Sequence, residues 1–595
     1  MKRRIILGVC IIGSLCFKPI PAEILSPERK IEWQPGIPGQ FPEKIYTVNV
    51  MDFGAVRDGV TDDHPAFVEA IAALPEEGGI VFIPAGHYFL RNTVTINRGI
   101  LLRGEGPDQT HLTFDLGDAD SDCILIVKYS RGDWIHLQSG YVKGSRKLVV
   151  EDVSPFLVGQ FVEMQQDNDP ECMLSSWFYD PWGHNAVGQI NIVEAIQGDT
   201  LFLDRDIYFS YKAELNPMIR SQGFVQYAGI EKMRLDRADQ GDGQIIHVKN
   251  AAFCRIHDVE TFNATRSHVY LETVYGCEVS HSYFHHARSL PTISYGDGVV
   301  CCSHSTDNLI EDNIFRHVRH AMMVHLGSSG NVFAFNYSFE PYVPDTWHPA
   351  CISLKGHYPN FNLFESNVVE EISVSDYGGP VGPGNTFFRN RIVSGNLTIQ
   401  EYSHGQNVVG NLFCTSFQKI VLDSTILNTM IHGNVFEGSV EWDPEIADYQ
   451  IPNSYYYGTK PEFLEDKPWP LFGPNGDESA TLPAQDRFDA LQSTSGVKTA
   501  LSVPSDMGLD VYPNPCNPTT NIVYHIPEKS HVTIHVLDVT GRRIETLVDA
   551  VEERGTRNLS WFPRNASGAP LPSGVYFIHM IVGNITHCKK VMIVR

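Results

Sequence analysis

A repeated pair of polar residues, usually two asparagines five positions apart, constrains the fold of this chain more than any other feature. The pairs are Asn308/Asn313, Asn331/Asn336, Asn362/Asn367, Asn385/Asn390, Gln406/Asn411 and Thr429/Asn434. They follow one another after 23, 31, 23, 21 and 23 residues. A period in the low twenties is typical of stacked three-strand coils. We therefore predict an all-β chain with a right-handed parallel β-helix at its centre, in which stacked asparagines satisfy buried backbone groups.

The start of the solenoid is marked by a turn, a short helix and a buried strand. The turn lies at Asp58-Gly59, an amphipathic helix follows, and Gly78-Gly79 ends it before an apolar strand. A helix at this point can cover the open edges of the first coil. Residues 52–88 resemble the N-terminal cap of the pectate-lyase-like superfamily, which includes polygalacturonase-like hydrolases, polysaccharide lyases, uronate epimerases and phage tail spikes. The resemblance implies the β-helix fold, with the cap and first coils at 45–128, but not one particular reaction.

Residues 129–226 interrupt the coil rhythm, and we predict a β-rich insertion there, either a small barrel or a sandwich. Aromatic residues in it, Trp177, Tyr179 and Trp182, are candidate contacts for sugar rings; the alternative is a hydrophobic plug against the solenoid. No cofactor is expected to be required. Nearby oxygen donors would allow a Ca²⁺ ion to bind: Asp167, Asn168, Asp169 and Glu171.

The end of the chain follows a different pattern. The solenoid and a C-terminal covering segment are assigned to 227–487, and a linker to 488–508. From Leu509 the motifs V-Y-P-N-P-C-N-P-T-T, L-P-S-G-V-Y-F-I and K-K-V-M-I-V-R resemble the Ig-like sorting domain of the type IX secretion system of Bacteroidetes-like bacteria. The resemblance covers 509–595 and implies export by that machinery. Cys516 stands where an aromatic residue is usual, and Cys588 is its best candidate disulfide partner.

Composition and the first residues limit the partners. The chain has 45 basic and 70 acidic residues, a net charge of -25, which argues against a nucleic-acid ligand. Residues 1–22 have a basic start, an apolar run and a small-residue cleavage site, as in a signal peptide. No stretch is long and apolar enough for a transmembrane helix. We expect a secreted or cell-surface monomer that binds a polysaccharide.

The cysteines do not suggest a zinc site, because those beyond the signal peptide form no C-x-x-C pairs. Cys254 and Cys277 are one coil apart. We predict that they stack as buried thiols, with a bridge between neighbouring coils as the alternative.

Candidate catalytic residues follow from counting back from the first member of each polar pair. Positions 11, 9 and 7 before it alternate with apolar or small residues, so we expect them to face outward. On successive coils they are Asp297, Val299 and Cys301; His320, Met322 and Val324; Cys351, Ser353 and Lys355; Val374 and Asp376. The predicted catalytic group is Asp297, His320, Lys355 and Asp376. The predicted substrate contacts beyond the aromatic loop are His325, His357, Arg316, Arg319, Trp347 and Arg389.

Such a group fits more than one reaction. In hydrolysis two carboxylates flank the glycosidic bond, and Asp297 and Asp376 would be the pair. In elimination His320 or Lys355 would remove the proton beside a uronate carboxylate, while an Arg or Ca²⁺ neutralises that carboxylate. The cap resembles hydrolase relatives at least as much as lyases, which favours a glycoside hydrolase acting on a plant or algal type of glycan. The alternatives are a polysaccharide lyase or uronate epimerase, and a non-catalytic glycan-binding adhesin.

Overall fold

The computed structural model describes most of the chain. The described residues are 24–173, 183–287, 296–341, 350–375, 378–415, 418–494, 508–512, 520–526, 529–538, 542–552, 555–564, 570–582 and 585–593. The predicted signal peptide at 1–22 lies outside them.

The centre of the molecule is a solenoid with three faces of parallel strands. Face 1 consists of Val94–Ile96, Ile124–Val127, Ile246–Ala252, Ser267–Tyr275, Asp297–Cys302, Met322–Val324, Ile352–Leu354, Ile372–Val374, Leu397–Ile399 and Ile420–Leu422, and a short strand, Val225–Gln226, also pairs with it. Each coil contributes one strand to face 1 and then passes to the other two faces.

Faces 2 and 3 share the long strands Gly229–Arg237 and Arg255–Ala264, whose two halves lie on different faces. Face 2 also contains Thr47–Asn49, Gly79–Phe82, Ile100–Arg103, Glu278–Ser280, Leu309–Glu311, Val332–Ala334, Leu363–Glu365, Thr386–Phe388, Asn407–Val409 and Met430–His432. Face 3 also contains Asp58–Asp62, Gly86–Leu90, Thr110–Phe114, Tyr283–Ala287, Ile314–Arg316, Tyr337–Phe339, Val368–Val369, Arg391–Ile392, Leu412–Phe413 and Asn434–Phe436, followed by the antiparallel Ser439–Glu441. The predicted parallel β-helix is confirmed.

Two ladders of buried amides run through the turns on either side of face 2. In one ladder Asn313 donates from Nδ2 to Oδ1 of Asn336, and Asn336 donates in the same way to Asn367, both at 3.0 Å. Each Oδ1 also accepts the backbone N–H of the asparagine one coil earlier, at 3.0 Å for the same two pairs. Because every buried amide is both a donor and an acceptor, the ladder closes its own hydrogen bonds. The structural role predicted for the asparagines is confirmed.

The earlier coils continue the ladders with other residues. The backbone N–H of Cys277 donates to Oδ1 of Asn308 at 2.8 Å, and the backbone N–H of Cys254 donates to Sγ of Cys277 at 3.4 Å. Both thiols are buried and free. The prediction of stacked thiols is confirmed, and the alternative of a bridge is wrong.

The inside of the solenoid is filled by stacked apolar side chains. Phe333, Phe364 and Phe387 occupy the same position on three coils, with ring centroids 5.1 and 5.4 Å apart and nearly parallel planes. The N-terminal opening is covered by helix His64–Ala73, which buries Phe67 against Tyr88. A short 3-10 helix, Val50–Phe53, precedes it.

The insertion forms a closed antiparallel barrel of six described strands. They are Ile135–Ser139, Lys147–Val150, Phe161–Gln165, Gly188–Gln197, Thr200–Leu203 and Met218–Gln222. A further 3-10 turn lies at Ala213–Leu215. The barrel is fixed to the solenoid by buried polar contacts, because Glu163 Oε1 lies 2.8 Å from Nδ1 of His304 and Tyr208 donates to Asp307 at 2.8 Å.

Residues 24–46, called the strap below, run along the outside of face 2. Arg29 donates to Oδ1 of Asn407 on a late coil at 3.1 Å, and Trp33 donates to the carbonyl of Phe361 at 2.7 Å. The carbonyl of Tyr46 accepts from Ile80 on the first coils at 2.7 Å. The strap therefore runs against the order of the coils and connects the two ends of the solenoid.

Residues 450–482, the covering segment, pack on the outside of face 2 beside the strap. Two buried glutamates hold it there. Glu311 accepts from the hydroxyls of Tyr456 and Tyr457 at 2.6 and 2.9 Å, and Glu365 accepts from the backbone N–H of Tyr455 at 2.9 Å. Burial raises the pKa of each glutamate to about 7. A 3-10 turn, Glu462–Leu464, lies in this segment, and helix Pro483–Thr494 follows it.

The last part of the chain contains two antiparallel sheets with a common apolar core. One consists of Gly508–Tyr512, Thr520–Ile526 and Gly555–Trp561; the other of Ser530–Asp538, Arg543–Glu552, Gly574–Val582 and Ile585–Ile593. The Ig-like topology stays a prediction. Cys588 is a free, exposed thiol, so its predicted disulfide with Cys516, a residue outside the described ones, is wrong.

Removal of one ladder amide should destabilise the solenoid strongly. Asn336→Ala leaves the backbone N–H and Nδ2 of Asn313 and the carbonyl of Ile310 without their partner. We expect a loss of about 3 kcal/mol or more in the free energy of unfolding in urea, because each orphaned buried group costs about 1–3 kcal/mol. The control is Asn97→Ala at an exposed asparagine, with an expected change within about 0.5 kcal/mol. Equal losses in both variants would contradict the ladder.

The buried glutamates should make the solenoid less stable as the pH rises. Their folded pKa of about 7 lies above the ordinary glutamate pKa of 4.5. Each glutamate therefore makes its full contribution to the free energy of unfolding at a pH below the pKa it has in the unfolded chain. This contribution, at most about 3 kcal/mol for each residue, is lost as the pH rises through about 7. Unfolding midpoints measured from pH 5 to pH 8 should fall, and Glu311→Gln/Glu365→Gln should flatten the decrease. Glu441→Gln, at an exposed position, should leave the slope unchanged; an unchanged slope in the double variant would refute the assignment.

Candidate functional site

The predicted catalytic residue Asp297 lies at the turn that enters face 1, where it forms a buried ion pair. Arg319 donates from Nε to Oδ1 of Asp297 at 3.0 Å and from Nη2 to Oδ2 at 3.1 Å. Burial alone would raise the pKa of Asp297, but the charges of Arg319, His320 and Lys355 outweigh it and hold the pKa below its usual value. Asp297 is therefore an ionised carboxylate whose position is fixed by a bidentate guanidinium.

His320 lies beside this pair and has a defined tautomer. Its Nδ1 is 3.0 Å from the carbonyl oxygen of Ala350, which can only accept, so Nδ1 carries the proton and Nε2 carries the lone pair. Burial, together with the charges of Arg319 and Lys355, lowers the pKa of His320 to about 3, although Asp297 acts in the opposite direction. His320 is thus a neutral imidazole next to one carboxylate and two cations.

His325 and Lys355 lie on neighbouring coils of face 1. Val324 pairs in register with Leu354. The backbones of the next residues, His325 and Lys355, are therefore about 4.8 Å apart across the sheet. Burial and the charges of His357 and Lys355 lower the pKa of His325 to about 3. Asp297, Arg319 and His320 therefore lie at one end of face 1, while His325, Lys355 and His357 lie about five residues further along its strands, and the charge of Lys355 acts on both Asp297 and His320. These six residues are called the face 1 cluster below.

The predicted outward direction is wrong for several strand residues. Val299, Cys301, Met322, Val324, Cys351 and Val374 are buried in the core of the solenoid. The chain from Leu354 to Phe364 is one residue longer than the equivalent segments Cys301–Ile310 and Val324–Phe333. Side-chain direction alternates along a strand, so one extra residue before the asparagine reverses which of the counted positions face outward. Among the counted strand residues, the predicted outward direction therefore holds only for Ser353 and Lys355.

A second group of charged residues on face 1 was missed from the sequence. His247 lies between two carboxylates, with Nδ1 2.8 Å from Asp122 and Nε2 3.1 Å from Glu272, and Lys249 is 2.7 Å from Glu272. Burial lowers the pKa of His247, but the two carboxylates outweigh it and raise the pKa overall. Counting from the asparagine pairs cannot reach these coils, because Cys277 and Ser282 replace asparagine there.

Two predicted substrate contacts lie elsewhere. Arg389 is fully buried and anchors the covering segment by donating to the carbonyls of Ile451, Pro452, Phe472 and Pro474 at 2.7–3.1 Å. Arg316 lies on face 3, where it pairs with Glu340 at 2.7 Å. Neither residue is part of the face 1 cluster.

Several predicted site residues lie outside the described residues. These are Asp376 and the aromatic residues Trp347, Trp177, Tyr179 and Trp182. Their roles stay predictions.

The predicted Ca²⁺ donors of the barrel have protein partners. Asp169 and Glu171 contact Nζ of Lys212 at 2.6 and 3.3 Å, and Asp167 accepts from Asn216 at 2.6 Å. Within the described ranges, no three His, Cys, Asp or Glu residues are arranged to hold a metal ion. Calcium binding stays a prediction.

Comparison with known proteins places two parts of the chain. Residues 47–160 match the family model described as rhamnogalacturonase A/epimerase, pectate lyase-like, and residues 510–594 match the secretion system C-terminal sorting domain. Across the part of the chain that the structure describes, no helix is long and apolar enough to cross a membrane.

The similar curated proteins match only short segments. A probable rhamnogalacturonase A of Aspergillus niger is 33% identical over 129 residues, which is 20% of this chain and 28% of that protein. A mannuronan C5-epimerase of Azotobacter vinelandii is 40% identical over 93 residues, 14% of this chain and 7% of the epimerase. The chain thus spans less than a third of the length of these relatives.

Among solved structures, a tailspike of Pseudomonas phage phi297 is similar to this chain. The alignment covers 92% of this chain and 99% of the tailspike chain, with 13% identity and a TM-score of 0.45. The sequence matches are to segments: residues 47–160 match the rhamnogalacturonase A/epimerase, pectate-lyase-like model, and the match of residues 510–594 to a secretion sorting domain indicates export by the type IX system.

Proposed function

We propose that the protein is a secreted polysaccharide-active enzyme that cleaves a uronate-containing glycan by elimination at the face 1 cluster. The observation that carries the proposal is a neutral imidazole, His320, beside the ionised carboxylate of Asp297 and within the electrostatic field of the cation Lys355. Relatives of residues 47–160 include proteins named for rhamnogalacturonan and for mannuronan, glycans that contain uronic acids.

The charge of the cluster supports an anionic substrate. Arg319 is neutralised by Asp297, and His320 and His325 are uncharged, while Lys355 adds a second cation to the cluster. The chain as a whole carries a net charge of -25. A local cation against an acidic background attracts a carboxylate to this point of the surface.

The positions of the carboxylates favour elimination over hydrolysis. Hydrolysis by a pair of carboxyl groups needs them within about 10 Å of each other. Glu272 pairs in register with Cys302, five residues further along the strand than Asp297, which separates the two residues by about 16 Å between their positions on the backbone. Asp297 and Glu272 are also both ionised, whereas one member of a hydrolytic pair must carry a proton.

The proposed step uses His320 as the base. Its Nε2 lone pair removes the proton on the carbon beside the uronate carboxylate, while Lys355 stabilises the negative charge that develops on that carboxylate. The electron pair forms a carbon–carbon double bond and the glycosidic C–O bond breaks. The leaving oxygen takes a proton from water, and the His320 imidazolium then returns its proton to the solvent. The negative charge of Asp297 raises the pKa of His320 and so stabilises the imidazolium. The carboxylate of an incoming uronate raises this pKa further.

A test of the reaction follows reducing ends and the ultraviolet absorbance of unsaturated uronates on polygalacturonate, rhamnogalacturonan, polymannuronate and a neutral glycan. Both signals should rise on at least one uronate polymer. His320→Gln and Lys355→Ala should each lower kcat/KM by about 10²–10⁴-fold. The control is Lys249→Ala, in the same column of face 1 about 19 Å away, with activity unchanged.

Other outcomes of that test identify the rivals. Reducing ends without absorbance would show hydrolysis and overturn elimination. A change in uronate composition without cleavage would show epimerisation. Binding with neither signal would show an adhesin and overturn the enzyme.

The ion pair beneath His320 should matter for both stability and pH dependence. Arg319→Met leaves Asp297 charged and buried without a partner, which should cost about 3–5 kcal/mol, and adding Asp297→Asn should recover part of the loss. The unpaired carboxylate also raises the pKa of His320, so the acidic limb of the rate profile should move to higher pH. The control is Arg316→Met, in a more exposed pair, which should cost about 1 kcal/mol or less and leave the profile in place.

A further inference from the structure

A cavity of 640 Å³ lies where the strap, the barrel and the covering segment meet. Its walls are formed by residues 27–34 of the strap, by residues 143–146 and 205–208 of the barrel, and by Tyr455. The volume is in the range of sites for small ligands, about 300–1,000 Å³, and junctions between structural units are common positions for them. The cavity borders face 2, so it is separate from the face 1 cluster.

Basic residues outnumber acidic ones in the walls of this cavity. The basic residues are Lys30, Lys143, Arg146 and Arg205; the acidic ones are Glu28, Glu32 and Asp206. In the whole chain the ratio is reversed, with 45 basic against 70 acidic residues. The excess of cations in an enclosed space favours an anionic ligand.

Lys143 is positioned by the strap. Its Nζ donates to the carbonyls of Glu28 and Lys30, both at 2.9 Å, and lies 3.7 Å from the centre of the Phe361 ring. An ammonium has three N–H groups, of which two bond to these carbonyls, so Lys143 acts on a ligand chiefly through its positive charge. Burial lowers the pKa of Lys143 to about 8, with Glu28 acting weakly in the opposite direction.

The two guanidinium groups suit a carboxylate. Arg146 pairs with Asp206 at 2.6 Å, and about half of each side chain is exposed, so a ligand can reach this pair. Arg205 contacts Gln34 of the strap. Its buried Nε makes no hydrogen bond and lies 3.5 Å from Oδ2 of Asp307. Planar guanidinium groups bind carboxylates in a bidentate manner. Tyr455 is partly buried and adds apolar surface for a sugar ring, whereas Trp33 is buried and packs against Tyr455.

We infer that this cavity binds a short acidic oligosaccharide, with a uronate carboxylate at Lys143 and Arg146, as a second glycan site beside the barrel. The choice of uronate as the ligand class rests on the proposed function; the cavity and its charges do not. A chain bound here contacts the strap and the barrel together, so the site holds glycan at a point remote from the reaction on face 1.

The test is a calorimetric titration of the full chain carrying His320→Gln, so that the ligand is not consumed. The probes are trigalacturonate and trimannuronate, with maltotriose as the uncharged comparison. At least one acidic trimer should bind, and Arg146→Met and Lys143→Met in this background should each weaken that binding tenfold or more. Lys147→Met is the matched control: this lysine lies over Phe202 on the barrel outside the cavity, and binding should not change.

Two further readouts separate this site from face 1 and from damage to the strap. Adding Lys355→Ala should leave the Arg146-dependent binding intact, and Arg146→Met should leave the melting temperature unchanged, because its ion pair is half exposed. Affinity should fall as the pH rises through about 8, since an anionic ligand favours protonated Lys143.

Loss of binding with Lys355→Ala but not with Arg146→Met would overturn the second site. Equal binding of maltotriose, or no binding of either acidic trimer, would also overturn it. If the unsubstituted protein cleaves no glycan but the His320→Gln chain binds an acidic trimer through Arg146, the cavity site is supported and the proposed reaction is refuted.

Discussion

The buried amide ladders are the interaction on which the rest of the structure depends. An asparagine in the interior is costly unless all its hydrogen-bonding groups are satisfied, and here each one is satisfied by the coil before and the coil after it. The ladder therefore fixes the vertical register of successive coils. Once that register is fixed, the phenylalanines stack inside and the strands of all three faces align. Catalytic side chains from different coils can then meet at defined spacings.

The three faces have different neighbours, and this difference separates structural from functional surfaces. Face 2 is covered by the strap and the covering segment, which are held by Arg389 and by two glutamates that are easier to bury when protonated. Part of face 3 packs against helix Pro483–Thr494. Face 1 instead carries two groups of charged residues in outward columns, one around His247 and one around Lys355. Face 1 thus presents charged side chains from several coils in register with one another.

Burial and pairing determine what each of these charged groups can do. The same desolvation that makes His320 neutral would also make Asp297 neutral, but Arg319 keeps the aspartate ionised. A neutral imidazole and a charged carboxylate can therefore coexist at one turn. In the cavity beside the barrel the balance is different, because burial lowers the proton affinity of Lys143 and the charge of Glu28 restores only part of it. An anionic ligand would raise that affinity further.

The sequence by itself determined the parallel β-helix, the roles of the asparagines and the stacked thiols, because these features repeat with a short period and each repeat meets its neighbour. It also identified Asp297, His320, Lys355, His325, His357 and Arg319, which form the face 1 cluster. The direction of Val299 and Met322 was wrong because one extra residue after Leu354 changes the alternation between coils. Glu272 was missed because its coil has no asparagine pair from which to count. Arg389 was wrongly predicted to contact substrate, because its hydrogen-bond partners are 62–85 residues away in sequence. Only the tertiary structure decided these points, since turn lengths and long-range covering segments leave no periodic signal along the chain.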